Sequence, residues 1–214
     1  MSARVICISR ALYAGADEVA ALVAEIMGYR CVDEEIIGRA AERQKLDPTV
    51  VASAEQRKSF LARLFEDMAM GAGMASYGAG YVPDPGQMPA HGEQLRGLIR
   101  EAIVETAERG EVVIVAHAAS YALSNRNDVL RVLVTGSAPA RAGALAAAEG
   151  IGPGEAARQI RDSDAARADY LRRFYQVEHE LAEHYDLCIS TDGLTPAQAA
   201  AVIISVARAI RKTD

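Results

Sequence analysis

The segment Val112–Ala116 constrains the fold of this chain more than any other feature, because five consecutive residues are apolar. Valine and isoleucine favour strands, and a strand without polar alternation is typical of a parallel sheet that is covered on both faces. The segment Leu130–Thr135 has the same character, with a single interruption at Arg131. These two segments predict a buried parallel sheet rather than a sheet with one face in water.

Five short segments are predicted as strands, and helical patterns lie between them. Strands that alternate with helices predict βαβ units, and therefore a layered α/β sandwich. The five predicted strands are Arg4–Ile8, Tyr29–Val32, Val112–Ala116, Leu130–Thr135 and Asp186–Ser190.

Two helix starts carry clear signals. Thr195 is a capping residue, Pro196 suits the first helical position, and Gln198 completes a capping box before the apolar run Ala199–Ile210. Asp33 is of the N-cap type and precedes two further acids, which favour the N-terminal end of a helix dipole.

Length and charge narrow the class of protein. A chain of 214 residues is expected to form one domain with an insertion. The net charge of −6 argues against a binder of nucleic-acid polymers or anionic membranes, although a local basic pocket for a phosphorylated small molecule remains compatible with it. No apolar run approaches the roughly 20 residues that span a bilayer, and we expect no signal peptide.

The cysteines and histidines predict neither a disulfide framework nor a metal site. Cys7, Cys31 and Cys188 are scattered, odd in number and close to predicted strands, so we expect reduced core thiols and a cytoplasmic location. The histidines have no metal-ligand spacing, since His179 and His184 are five residues apart and do not share a helix face.

The segment Met70–Pro89 is rich in glycine and proline and cannot form one regular element. Segments of this kind are either functional covers over a site or mobile loops. We expect residues 70–89 to be a mobile loop, because their composition is typical of disorder.

The first predicted strand leads into a segment that resembles a phosphate-binding loop. A small-residue turn, Ser9–Ala16, separates this strand from a predicted helix over Asp17–Met27. In such a turn, backbone N–H groups and the helix N-terminus can hold a phosphate. The full pattern ends in Gly-Lys-Ser/Thr, whereas this chain has Gly15-Ala16-Asp17, so a carboxylate replaces the cation.

A second candidate for phosphate chemistry is the arginine-rich segment Arg158–Tyr175, which follows a glycine-rich break. Converging guanidinium groups suit phosphate oxygens, because each fork can bind two of them. The alternative is a solvated helix with ion pairs three or four residues apart, among them Asp164–Arg167. The charge pattern by itself favours this alternative.

These segments together resemble the cytidylate kinase-like family of P-loop nucleoside monophosphate kinases. The similarity covers most of the chain, and it rests on the order and spacing of several segments rather than on one motif. The similar segments are Val5–Arg10, Leu22–Ile37, Val112–Leu123, Leu130–Val134 with the later Arg141, Asp164–Tyr170 and Tyr185–Thr191.

The resemblance implies a three-layer α/β sandwich with a parallel five-stranded sheet in the order 2-3-1-4-5. Residues 1–214 are then a single P-loop kinase-like domain with a lid-like helical segment at 150–178. The resemblance further implies ATP at the first loop, a nucleoside monophosphate at the far side, and Mg²⁺ between them. It implies a small-molecule nucleotide as partner and leaves the oligomeric state open.

The same resemblance assigns two groups of site residues. The first group surrounds the donor phosphates, and the second lies near the acceptor, the metal or the lid. The first group is Ser9, Arg10, Gly15, His117 and Arg141. The second group is Asp33, Arg161 and Arg167.

The chain departs from the family where phosphate is handled. The family loop often has the form S-R-q-y-G-s-G-G-r/k-e-I-A, and only Gly15 survives of its three glycines, while Asp17 stands at the basic position. His117 replaces an arginine after the third strand, where it can donate to a phosphate or bind a neutral ligand. Ala144 stands where a second basic residue is common. Arg10 can supply the missing charge within the loop, or it can form an ion pair with Asp17 or Glu18.

Two functions follow from these observations. The first is an ATP-dependent phosphotransferase of the nucleoside monophosphate kinase type, with CMP as the acceptor that the family suggests. The alternative is a catalytically impaired nucleotide- or ligand-binding regulatory protein on the same fold. A dinucleotide-binding enzyme is a weaker third possibility, because no Gly-x-Gly-x-x-Gly follows the first strand.

Overall fold

The computed structural model of the protein describes residues 3–33, 100–116 and 119–210. Its centre is one sheet of five parallel strands in the order β2-β3-β1-β4-β5, which confirms the predicted order. Each observed strand lies within two residues of its predicted bounds. The strands are β1 Val5–Arg10, β2 Arg30–Asp33, β3 Val112–Val115, β4 Val129–Thr135 and β5 Leu187–Ser190.

Six helices of the described ranges connect or flank these strands. A short 3₁₀ helix, Ala182–His184, precedes β5. The α-helices are α1 Ala16–Met27, α2 over residues 100–108, α3 Ala119–Ala122, α4 Ala138–Glu149, α5 Pro153–Tyr175 and α6 Pro196–Ala209.

The C-terminal helix begins as its sequence predicts. The Thr195 hydroxyl accepts a hydrogen bond from the Gln198 N–H at 3.3 Å, and the Gln198 side chain accepts one from the Thr195 N–H at 2.9 Å. Helix α5 contains the predicted arginine-rich segment and begins earlier, at Pro153, because proline fits the first turn of a helix. The predicted lid role of this segment stays a prediction.

Alternate residues of the strands fill two separate cores, one on each face of the sheet. Ile6 and Ile8 pack with α1 and α6, while Val5 and Cys7 pack with α2 and α3. All four side chains are fully buried. A central strand that is covered on both faces explains why the strand sequences show no polar alternation.

All five strands end at the same edge of the sheet, because they are parallel. Arg10 at the end of β1 is in register with Val134, and Asp33 at the end of β2 is in register with Val115. The loops that follow the strands therefore meet at this edge, which is where open α/β sheets bind ligands.

The prediction of three core thiols holds only for Cys7. Cys31 and Cys188 are exposed, and all three cysteines are free. Cys31 lies on β2 and Cys188 on β5, the two edge strands of the sheet. A side chain on an edge strand has a neighbouring strand on one side only. A position on a strand therefore predicted burial correctly only for Cys7, which lies on the central strand.

Two of the three thiols are expected to react with an aromatic disulfide reagent in the native protein, and the third only after unfolding. Burial raises the pKa of the Cys7 thiol to about 12, which removes the reactive thiolate at neutral pH. Burial also raises the pKa values of Cys31 and Cys188, but both side chains remain accessible to the reagent. Counting released chromophore before and after addition of urea checks this expectation, and three thiols reacting at one rate in the native state would contradict it.

Three predictions lie outside the described residues: the mobile loop at 70–89, the position of His117, and the helix that Asp33 was expected to cap. Among the described helices, none combines the length and the apolarity that a membrane crossing requires.

Candidate functional site

Two residues of the loop between β1 and α1 have positive φ angles and set the shape of its backbone. Gly15 has φ +71° and Tyr13 has φ +58°. Glycine adopts this conformation freely, whereas a tyrosine pays roughly 1–2 kcal/mol for it. Tyr13 stands at a position where the family pattern has glycine. Its hydroxyl donates to Glu149 Oε1 at 2.7 Å, and its ring packs on the core between α4 and α5.

Most N–H groups of this loop have no acceptor among the residues that the structure describes. Ala11 donates its N–H to Val134 O at 3.1 Å, and Ala14 donates to Ala11 O at 3.1 Å. Across the described parts of the chain, no acceptor is within reach of the N–H groups of Leu12, Tyr13, Gly15, Ala16, Asp17 and Glu18. These donors and the positive end of the α1 dipole can together hold an anion.

The carbonyl groups of the same loop are engaged by side chains from elsewhere. Arg10 O accepts from Arg167 Nη1 at 3.2 Å, and Leu12 O accepts from Arg141 Nη1 at 3.4 Å. Ala14 O accepts from Thr191 Oγ1 at 3.1 Å. Alternate carbonyls are thus held by donors from α5, α4 and the residue after β5.

Arg10 forms an ion pair with Asp17, which confirms one of the two interpretations of Arg10. The Arg10 side chain is 30% exposed and the Asp17 side chain 68% exposed, so the pair lies at the surface of the loop. The carboxylate at the basic position of the family pattern is therefore compensated by the neighbouring guanidinium.

Arg141 is buried, and all three of its guanidinium nitrogens donate hydrogen bonds. Its Nε donates to Gly136 O at 2.9 Å, and its two Nη atoms donate to the Asp164 carboxylate at 2.9 and 2.6 Å. The predicted ion pair between Asp164 and Arg167 is wrong, because Asp164 turns towards Arg141 on the neighbouring helix. Helices α4 and α5 are thereby joined beside the loop.

Arg167 is paired with Glu180, on the irregular segment that follows α5. Arg167 Nε and Nη2 donate to the two carboxylate oxygens at 2.8 and 2.5 Å. The Tyr185 hydroxyl also donates to Glu180 and lies 3.3 Å from Arg167 Nη2. Burial raises the pKa of Tyr185 above its ordinary value, so this phenol remains a donor at neutral pH.

Aromatic rings surround this ion pair. The ring of Tyr121 lies 5.4 Å from that of Tyr175, 5.7 Å from that of His184 and 6.2 Å from that of Tyr185, measured between centroids. The Tyr121 hydroxyl is 3.2 Å from His184 Nδ1. The Glu180 side chain beside these rings is 21% exposed.

The other predicted site residues occupy different environments at this edge. Ser9 is fully buried, and its hydroxyl lies 3.2 Å from that of Ser120. Asp33 is half-buried at the end of β2. Arg161 is exposed on α5, and the described residues offer it no ion-pair partner.

Sequence patterns did not predict Thr191 or Glu180 as parts of this arrangement. Thr191 follows the predicted fifth strand, so its position at the ligand-binding edge was available from topology. Glu180 lies in an irregular segment without a motif, and only the path of the chain after α5 brings it to Arg167.

The comparisons with known proteins agree with this geometry. Residues 5–193 match the model of the cytidylate kinase-like family. The structure is similar to that of an uncharacterized protein from Eubacterium ventriosum, with 18% identity over 96% of this chain and 98% of that chain, and a TM-score of 0.67. No curated protein matches the sequence.

Two kinases share the fold. The shikimate kinase from Bacteroides thetaiotaomicron has 15% identity over 94% of this chain and 95% of that chain, with a TM-score of 0.52. The shikimate kinase from Acinetobacter baumannii, solved in complex with shikimate, has 14% identity over 95% of this chain and 92% of that chain, also with a TM-score of 0.52. The matched family model spans most of the sequence, and the sheet order is the one that the family implies. The chain therefore belongs to the cytidylate kinase-like family.

Proposed function

We propose that the protein is an ATP-dependent phosphotransferase that acts on a nucleoside monophosphate or a similar small acceptor in the cytoplasm. The observation that carries the proposal is the row of loop N–H groups at the start of α1 for which residues 3–33, 100–116 and 119–210 supply no acceptor. Membership of a kinase-like family and the P-loop kinase fold support the same reaction class.

The loop fits a polyphosphate. Its free N–H groups match the negative oxygens of phosphate, and a Cβ added at Gly15 would meet no protein atom within 4 Å. Arg10, at the start of the loop, is paired with Asp17 and can add positive charge once a phosphate competes for it.

The described residues fit Mg²⁺ as a partner of nucleotide phosphates rather than as a resident ion. They contain no group of three or more His, Cys, Asp or Glu side chains that would hold a metal by themselves. Mg²⁺ in kinases needs only one or two carboxylates, since phosphates and water complete its shell. Asp33 is the candidate carboxylate, and Mg²⁺ would neutralise charge on the transferred group.

Phosphoryl transfer needs mainly correct positioning and charge stabilisation. We assign the loop N–H groups to binding of the donor phosphates, with Arg10 beside them. Arg161, which is exposed on α5, is assigned to the transferred phosphate, and Asp33 to the acceptor or the metal. CMP is the first acceptor to test, and small alcohols follow, because shikimate is bound by a kinase of the same fold.

A coupled assay of ADP release from Mg-ATP, with a panel of nucleoside monophosphates and small alcohols, tests the proposal. We expect turnover with at least one acceptor and at least a tenfold loss in Gly15→Ala, because alanine strains the left-handed backbone at Gly15 and so shifts the N–H groups of the loop. Gly28→Ala is the matched control. It has the same left-handed backbone at the other end of α1 and equally open surroundings, so it carries similar strain without facing the loop. Equal activity of the two variants would argue against phosphate at Gly15.

The alternative, a catalytically impaired binding protein, is favoured by a different observation. Three of the arginines at this edge are each paired with a carboxylate: Arg10 with Asp17, Arg141 with Asp164 and Arg167 with Glu180. A guanidinium that already binds a carboxylate contributes less to a phosphate, because the existing pair must first be broken. Fewer free cations reduce stabilisation of the transferred group.

Calorimetry separates the two functions. Tight binding of Mg-ATP together with ADP release supports the phosphotransferase. Binding of Mg-ATP without turnover on any acceptor, at high protein concentration, supports the impaired binding protein. If the protein neither binds Mg-ATP nor releases ADP, the phosphate site at this loop is rejected.

A further inference from the structure

Three side chains bind carbonyl groups of the phosphate loop, and in a trans peptide the N–H of the following residue points the opposite way. Behind the carbonyls of Leu12 and Ala14 these are the N–H groups of Tyr13 and Gly15, which have no acceptor in the described parts of the chain, while the N–H behind Arg10 O, that of Ala11, donates to the sheet at Val134 O. The carbonyls of Arg10, Leu12 and Ala14 accept from Arg167, Arg141 and Thr191 in turn. Each donor comes from a different part of the chain, after the loop in sequence. We infer that Thr191, Arg141 and Arg167 are positioning residues, which act on a bound phosphate through the backbone of the loop.

The physical reason is the polarity of the peptide unit. A carbonyl oxygen that points at a phosphate repels it, whereas an N–H group attracts it. The carbonyls of alternate loop residues are held by side-chain donors and cannot rotate towards the ligand. Fixing the carbonyls before binding also removes the cost of ordering the loop when the ligand arrives.

The two arginines are suited to this role by their own partners. Asp164 and Glu180 neutralise Arg141 and Arg167 and orient each guanidinium. Nη1 of Arg167 donates to a loop carbonyl, and Nη1 of Arg141 donates to both Asp164 and a loop carbonyl. The same carboxylates that weaken these arginines as direct phosphate ligands thus make them rigid donors to the backbone.

Thr191 gives the cleanest test because its contribution is a single hydroxyl. This hydroxyl lies 3.1 Å from both Ala14 O and Thr135 O. Thr135 O already accepts the N–H of Thr191 at 2.8 Å, whereas no other donor reaches Ala14 O within the described parts of the chain. Loss of the hydroxyl therefore releases the carbonyl of Ala14 and leaves the strand pairing of Thr135 in place.

The inference rests on the proposed phosphate site, and calorimetry with inorganic tripolyphosphate and with ATP tests both. We expect Thr191→Val, which keeps the shape and removes the hydroxyl, to weaken binding of both ligands about tenfold. Thr191→Ser, which keeps the hydroxyl, should bind within about twofold of the wild type. The control is Thr195→Val, which removes a helix-capping hydroxyl on α6 and should lower the melting temperature without changing binding.

The outcomes separate the two ideas. Wild-type protein that binds neither ligand rejects the phosphate site and, with it, the positioning role. Wild-type protein that binds both, together with a Thr191→Val variant that binds equally well, rejects the positioning role alone. Equal weakening in Thr191→Val and Thr195→Val would also reject it, since general destabilisation would then explain the loss.

Discussion

Replacing Glu180 with alanine is expected to lower the free energy of unfolding by about 3 kcal/mol. The guanidinium of Arg167 would lose both carboxylate oxygens while its side chain is only 10% exposed. A buried charge that loses its partner is costly, because water cannot replace the lost interaction. The hydrogen bond from Arg167 to Arg10 O remains and keeps the expected cost at the lower end of the range for broken buried pairs.

Asp169→Ala is the control, because Asp169 lies on α5, the helix that carries Arg167. Asp169 pairs with Arg172 and Arg173, whose side chains are 56% and 53% exposed. The Asp169 side chain is 20% exposed, close to the 21% of Glu180, so the two pairs differ in the exposure of their guanidinium groups. Pairs with an exposed cation contribute about 1 kcal/mol or less. Urea-induced unfolding of both variants measures the difference. Similar losses in the two variants would show that the pair between Arg167 and Glu180 is no better shielded from water than a surface pair.

Replacing Asp17 with lysine is expected to tighten ATP binding about 30-fold, if ATP binds at the loop as proposed. The change replaces a negative charge with a positive one beside the phosphates, which is worth about 2 kcal/mol at contact distance in water. It also releases Arg10, whose guanidinium now binds the Asp17 carboxylate. Calorimetry with ATP at low ionic strength gives the two dissociation constants, and added salt should reduce the difference.

The control for Asp17→Lys is Glu25→Lys, at the exposed far end of the same helix. It changes the net charge equally but lies about 12 Å further along α1, so its effect on ATP affinity should be several-fold smaller, because the Coulomb energy falls with distance. Lysine in the first turn of a helix opposes the helix dipole, and Asp17→Lys should therefore lose up to about 1 kcal/mol of stability without ligand. Unchanged or weaker ATP affinity in Asp17→Lys would mean that the loop does not hold phosphate near position 17.

Local residue patterns were sufficient for much of this fold. The apolar run at Val112–Ala116 predicted a strand buried on both faces, and β3 occupies the first four residues of that segment, all of them buried. Thr195 and Gln198 predicted the start of α6 down to the hydrogen bonds of its capping box. These features depend on neighbours in the sequence, which is why the sequence reveals them.

The partners of the charged side chains were harder to predict. Helix spacing indicated that Asp164 pairs with Arg167. In the structure Asp164 binds Arg141 on α4, and Arg167 binds Glu180 on the segment after α5. The order of strands in the sheet was implied by the family resemblance, because no local pattern states which strands are neighbours.

The sequence by itself determined that this is a parallel α/β protein of the cytidylate kinase-like family with an altered phosphate loop. It also determined that Asp17 stands where the family has a cation, since identity and order are read directly from the chain. Only the tertiary structure decided which carboxylate binds which arginine, and that Thr191 reaches the carbonyl of Ala14. Those contacts join residues that are far apart in sequence, and they form only when the five strands end together at one edge of the sheet.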